Sequence, residues 1–195
     1  AMKSRGILPA ALILALLTGL PAGAEQKGRT GWIRDVEGFD SVSLNSSGHL
    51  IITEGDRESL ESEVREGELA RIVTEVRDGT LRIGREGAGW SASLRQPVFR
   101  LTMRKVHALE THSSGRITAA ALRTDSLRIR ISSSGRITID ALQAGSLEVL
   151  ISSSGSLRVA GMVDRQEVRL SSSGSYLAGE LASDTATVRV SSSGS

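Results

Sequence analysis

Four copies of Ser-Ser-Ser-Gly are the most chemically suggestive pattern in the chain, because each sets three hydroxyls beside a residue without a side chain. They end at Gly135, Gly155, Gly174 and Gly194, and Gly115 follows His112-Ser113-Ser114, so the glycines recur at 20, 20, 19 and 20 residues. Repeated hydroxyls can serve as nucleophiles, as a hydrogen-bonding surface, or as small residues that let the backbone turn. A serine nucleophile needs an imidazole and an acid held in line with it. The only imidazoles are His49, His107 and His112, and no Gly-x-Ser-x-Gly elbow is present. His112 stands where the later corners carry serine and reads as a surface variant of that column. Asp125, Asp140, Asp164 and Asp184 do not share one offset from the glycines, so the acid cluster of pectinolytic β-helices is not expected. Calcium-binding glycine-aspartate repeats need carboxylates where these corners carry serine.

No catalytic, cofactor-binding or metal-binding residue is therefore expected. The candidate site is the corner itself: Ser133, Ser134, Gly135, Ser153, Ser154, Gly155, Ser172, Ser173, Gly174, Ser192, Ser193 and Gly194. Its first role is structural. Glycine is expected to supply unusual backbone angles and serine to satisfy stray backbone groups, with Ser133, Ser153, Ser172 and Ser192 facing inward by parity. Its second is a binding face, because equivalent hydroxyls on stacked coils line up.

The elements that place the corners follow from the same alignment. Six residues before each glycine stand Leu109, Ile129, Val149, Val168 and Val188, and four before it Thr111, Ile131, Ile151, Leu170 and Val190. Between them lie Glu110, Arg130, Leu150, Arg169 and Arg189, an alternation of period two. Beyond the glycine, Ile117, Ile137, Leu157 and Tyr176 open a second apolar series, with Ala119, Ile139, Val159 and Ala178 two places later. Leu122, Leu142, Met162 and Leu181 extend it, seven places on from the glycine. Each repeat thus holds two short strands meeting at the corner and a looser return. The predicted fold is all-β, a single-stranded parallel β-helix, or β-solenoid, with coils of about 20 residues. A leucine-rich repeat has similar length, but β-branched enrichment and the lack of a helical half exclude it.

Residues 105–195 form the regular coils and 36–104 irregular ones. Val42, Leu44, Gly48, Leu50 and Ile52 keep the repeat's offsets, so Asn45-Ser46-Ser47-Gly48 is expected to be an early corner. A short helical turn is expected near Glu68 to Ile72, then two strands joined by a hairpin turn at Asp78-Gly79. Gly84 to Ser93 reads as a loop and Val98 to Met103 as a strand. Residues 25–35 read as a linker.

Lys3 and Arg5, the apolar run Ile7 to Leu20, and Ala22-Gly23-Ala24 make residues 1–24 a signal peptide, with the mature chain starting at Glu25. The run is shorter than a membrane span needs, so no transmembrane anchor is expected in the mature chain. The destination is outside the cytoplasm, in the periplasm or at the cell surface. The leader's two bases removed, 22 basic residues face 22 acidic ones. A neutral chain with two Trp, two Phe and one Tyr offers neither a broad basic field nor stacking platforms, which argues against nucleic acid. With no cysteine it has no disulfide and no thiolate metal site. The column Arg130, Arg169, Arg189 reads as a solvated face interleaved with Glu110, Glu148 and Glu167.

The order Val42-Ser43-Leu44, Glu68 to Ile83 ending Asp-Gly-Thr-Leu-Arg-Ile, then Phe99-Arg100-Leu101-Thr102 leading into Leu109 and serial corners, resembles the head GIN domain family of putative auto-transporter adhesins. The resemblance spans residues 36–195 and implies an exported bacterial parallel β-helical domain without catalytic residues. Two departures stand out. The corners read Ser-Ser-Ser-Gly where the family commonly has Gly-Ser-Gly, and the sequence stops at Ser195 without the usual closing segment, which points to truncation.

Two functions from different classes follow. One is a non-enzymatic structural or adhesive module that binds a glycan or other surface polymer, a cell-surface protein, or itself through an open C-terminal edge. The other is a carbohydrate-processing β-helix enzyme of the cell envelope. An enzyme should bring acids or histidines together in one groove, and a scaffold should show columns of like residues.

Overall fold

The alternation of apolar and polar residues becomes a continuous stack of strands. A computed structural model describes residues 29–65, 69–85 and 96–195. The segment read as a signal peptide and most of the segment read as a loop at 84–93 lie outside the described residues. The regular part comprises β8 (Ala108–Thr111), β9 (Arg116–Ala119), β10 (Leu122–Ile131), β11 (Arg136–Ile151), β12 (Ser156–Ser171) and β13 (Ser175–Ser191). These pair in parallel, each on the coil beneath, so Leu109, Ile129, Val149, Val168 and Val188 stand in one column. All but Val188 are buried. One coil alone leaves the backbone donors and acceptors of its strands unpaired and its apolar face wet, which is why coils persist only as a stack.

The repeat of 19 residues is resolved at one place. Between Ile139 and Leu142 on β11 lie two residues, whereas between Val159 and Gly161 on β12 lies one. The missing residue puts Gly161, not Met162, opposite Leu142 and Leu181. Met162, expected in the apolar column, is instead 64% exposed. Gly161 adopts φ +126°, and a Cβ there would collide with the Leu142 carbonyl oxygen and lie 2.5 Å from the Leu142 nitrogen. Only glycine closes the shortened coil without strain.

The N-terminal half follows the coil plan, with two differences. β2 (Ser41–Leu44) and β3 (His49–Glu54) flank the expected corner at Gly48 and stack directly on β8 and β9. The chain then runs outward through β4 (Ser59–Arg65), a 3-10 turn at Leu69–Arg71 and β5 (Ile72–Arg77). It returns as β6 (Thr80–Arg85) and β7 (Val98–Met103), which lie in parallel on the other side of β2 and β3. The coil first in sequence is therefore second in space. The other difference is direction: β4 pairs antiparallel with β7, and β5 antiparallel with β6 across the Asp78-Gly79 turn, where both residues have positive φ. Gly84 belongs to β6 rather than to a loop. The segment read as a linker carries β1 (Arg29–Arg34), which pairs antiparallel with β4 and lays Trp32 against the core. Its alternation is too short and too polar to stand out in sequence.

The core turns polar near β13. Gln166 occupies the column of Leu127 and Leu147, is buried, accepts from the Tyr176 hydroxyl at 2.6 Å and donates to Ser183 Oγ at 2.8 Å. Burial pushes the Tyr176 phenol up to about 12. A phenol held protonated in the fold but free to ionise near pH 10 when unfolded stabilises the fold fully below pH 10. That contribution is lost as pH climbs towards 12. Denaturant titration at pH 9 and at pH 11 is expected to show a larger loss for the native chain than for Tyr176→Phe, and equal losses would refute the assignment.

Candidate functional site: the serine corner and its flanking faces

The corners form where each strand turns from one face of the coil to the next. Backbone bonds tie successive corners together: the nitrogens of Arg136, Ser156, Ser175 and Ser195 each donate to the carbonyl of the glycine one coil below, Gly115, Gly135, Gly155 and Gly174, at 3.0 Å. The glycines have no positive φ, so unusual backbone angles are not what they supply. Space is. A Cβ on Gly155 would collide with Ile131 Cγ2 and sit 2.8 Å from the Ser133 carbonyl and 3.0 Å from that of Gly135.

The serines are placed differently from the parity expectation. Gly135, Gly155 and Gly174 take the buried position; Ser133 and Ser153 are half-buried and Ser172 and Ser192 exposed. A bend breaks period two, so counting from the inward columns fails across it. Positive φ falls on Ser172 and Ser192, at +78° and +90°. Satisfaction of the backbone by serine holds at the first corners, where Ser113 Oγ donates to the Ser46 carbonyl at 2.6 Å and Ser46 Oγ accepts from Gly48 N at 3.3 Å, and at the last, where Ser191 Oγ donates to the Leu170 carbonyl at 3.3 Å. Ser134, Ser154, Ser173 and Ser193 are exposed, and their hydroxyls bond to no other described protein group. They form a line of free hydroxyls spaced by about 4.8 Å, the separation of paired strands.

His112 sits in the column of Ser132 and Asn45. Its Nε2 lies 3.2 Å from the Glu110 carboxylate and its Nδ1 2.7 Å from the Ser132 hydroxyl. Acid, imidazole and hydroxyl are thus in line, on an exposed strand face beside a polar recess lined by Ser43, Asn45, Thr80 and Arg82. The nitrogens are used in the opposite sense from a serine-hydrolase triad. His107 bonds to Ser126 at 3.1 Å and His49 to Thr118 at 2.9 Å, so the three histidines do not converge.

The acids correct one sequence expectation. Asp125, Asp164 and Asp184 do share a column, with Gly145 between the first two, each standing ten residues before the corner glycine that follows it. Grouping them with Asp140, which stands fifteen before Gly155, hid this. No group of three ligands able to hold a metal ion is found among the described residues. The column Arg130, Arg169, Arg189 is interleaved with carboxylates as expected: Arg130 reaches Glu110 at 4.0 Å, Arg169 reaches Glu167 at 2.6 Å, and Arg189 reaches Glu167 at 3.1 Å. Sequence reasoning missed Trp32 and Ser62, neighbours in register, whose Nε1 and Oγ are buried without a hydrogen-bond partner.

Several solved structures share this architecture. A putative adhesin from Bacteroides fragilis NCTC 9343 superposes with a TM-score of 0.81 at 18% identity, over 87% of this chain and 79% of that one. One from Parabacteroides merdae ATCC 43184 gives 0.67 at 14% identity, over 87% and 80%. A putative lipid binding protein from Parabacteroides distasonis ATCC 8503 gives 0.64 at 18% identity, over 87% and 81%. At such identities the likeness concerns the fold. No curated protein matches the sequence. The family model described as "Putative auto-transporter adhesin, head GIN domain" matches residues 38–195, from the strand before the first corner through the last one, and the chain belongs to that family.

Proposed function

We propose that the protein is a non-enzymatic, exported adhesive module that binds a surface glycan along its serine corner. The line of exposed hydroxyls without protein partners, on a frame held by backbone bonds at every coil, carries this reading. Hydroxyls fixed by the frame can hydrogen-bond a repeating polyhydroxylated ligand without first losing backbone freedom. Family membership and the leader-like first 24 residues support a place outside the cytoplasm, in the periplasm or at the surface.

Glycan-array and whole-cell binding of the chain starting at Glu25 is expected to drop when Ser134, Ser154 and Ser173 are all changed to alanine. Three lost neutral hydrogen bonds, each worth about 1 kcal/mol, amount to a hundredfold or so. The melting temperature should stay put because those side chains are exposed and bond to no described protein group. Unchanged binding by the triple variant would remove the corner from the reading.

A further inference from the structure

The two faces that meet at the serine corner carry arginines and treat them in opposite ways. Before the corner, Arg128, Arg130, Arg169 and Arg189 each lie within 4.0 Å of Glu110, Glu148 or Glu167. After it, Arg116 of β9, Arg136 of β11 and Arg158 of β12 have no carboxylate partner among the described residues. Asp140 is the sole acid on those three strand segments, and it pairs with none of them.

Arg116 and Arg136 are direct neighbours in register. Arg158 lies one coil further and two residues along, a diagonal of about 8 Å between backbone positions. Like charges side by side on paired strands repel. The other face relieves that repulsion with glutamates, and this one leaves it standing. Arg136 is also held in place: its Nε donates to Ser156 Oγ at 3.0 Å, which leaves both Nη groups as a fork for an incoming anion. On the other side of Arg116 stands His49, whose pKa is lowered by burial and by Arg116 and Arg100. Thr118 and Thr138 lie between the arginines, and the free hydroxyls of Ser134 and Ser154 border them at the corner.

We infer that this face binds a linear anionic polysaccharide, with its carboxylates or sulfates on Arg116, Arg136 and Arg158 and its ring hydroxyls along the corner. The inference rests on the glycan-binding reading above and adds the charge of the ligand and the face that reads it. Charges in a row along the rod suit a polymer carrying an acid at regular intervals. The three segments carry no aromatic side chain on which a nucleobase could stack.

The test uses the chain starting at Glu25 with polygalacturonate, dextran sulfate, uncharged dextran, an oligothymidylate and phosphatidylglycerol vesicles as separate probes. Binding to the acidic polysaccharides is expected, weakening as salt rises. Changing Arg116, Arg136 and Arg158 to glutamine should weaken it at least about tenfold, whereas Arg130, Arg169 and Arg189 to glutamine, the same change in net charge, should cost less than about twofold. Equal losses would show that bulk charge alone is read. Absence of binding to both acidic polysaccharides, or tighter binding to the oligothymidylate or the vesicles, would also overturn the inference. Serine-dependent binding to a neutral glycan that survives the Arg116, Arg136 and Arg158 changes would refute this inference and leave the adhesive reading intact. Acidic-polymer binding that needs the arginines but not the serines would keep the charged face and overturn the placing of the ligand along the corner in both readings.

Discussion

Gly161→Ala is expected to destabilise the fold by about 4 kcal/mol, the sum of overpacking against fixed backbone and of a side chain at positive φ. The obstacle is the Leu142 peptide, which is tied into the parallel ladder and cannot rotate aside. Gly155→Ala has the first cost without the second, since its φ is ordinary, and should lose about 2 kcal/mol. Gly179 is the control, because a Cβ there meets nothing within 4 Å. Gly179→Ala should stay within about 0.5 kcal/mol of the native chain. Urea denaturation of the three variants settles the order. A Gly161→Ala variant as stable as Gly179→Ala would mean that the shortened coil is closed elsewhere.

The second large effect concerns β13. It pairs only with β12 among the described residues, and Leu177, Val188 and Val190 are 57%, 53% and 48% exposed. A strand edge of 17 residues above an open apolar column is a template for another strand. The opposite end differs: β1 and β5 are six residues each and antiparallel, with Arg29 and Arg34 on β1 and Glu75 and Arg77 on β5. Head-to-tail stacking is thereby disfavoured, whereas two copies of β13 can meet across a two-fold axis and close the contact. Light scattering on residues 25–195 alone is expected to give twice the monomer mass at high concentration. Val188→Lys combined with Val190→Lys should return it to the monomer with an unchanged circular dichroism spectrum. A native chain that stays monomeric throughout the concentration series would refute the proposal.

The regular coils were legible because every inward position recurs at one offset, so Leu109 through Val188 could be aligned without knowing what they touch. The outer coils were less so. That β6 and β7 sit beyond β2 and β3 is a choice of partner far along the chain, and alternation reports which face is buried, not which neighbour covers it. At the corner, residue identity was readable and orientation was not, because Ser133 and Ser172 lie on a bend where period two stops. The arginine face escaped notice for a different reason. Arg116 and Arg136 follow the glycine by one residue and Arg158 by three, and what sets them apart is the absence of nearby glutamate, which depends on the coil above and below. The shared column of Asp125, Asp164 and Asp184 was legible at ten residues before each following glycine, and was passed over because Asp140 was counted with them.

The spatial order of the first coils also sets a timetable for folding. Laying β11 on β10 brings together residues 20 apart, such as Leu122 and Leu142. Seating β2 against β8 joins residues 67 apart, as Ser113 and Ser46 are. Loop-closure entropy favours the short closures, and chains fold first where contacts are local. The later repeats are therefore expected to zip first, and β6 and β7 to pair with β2 and β3 across 39 and 49 residues, before that N-terminal block settles on the finished surface. A chain emerging from a secretion pore N-terminus first would hold its leading segment unseated until its tail had crossed, so that completion of the fold and completion of transport would coincide.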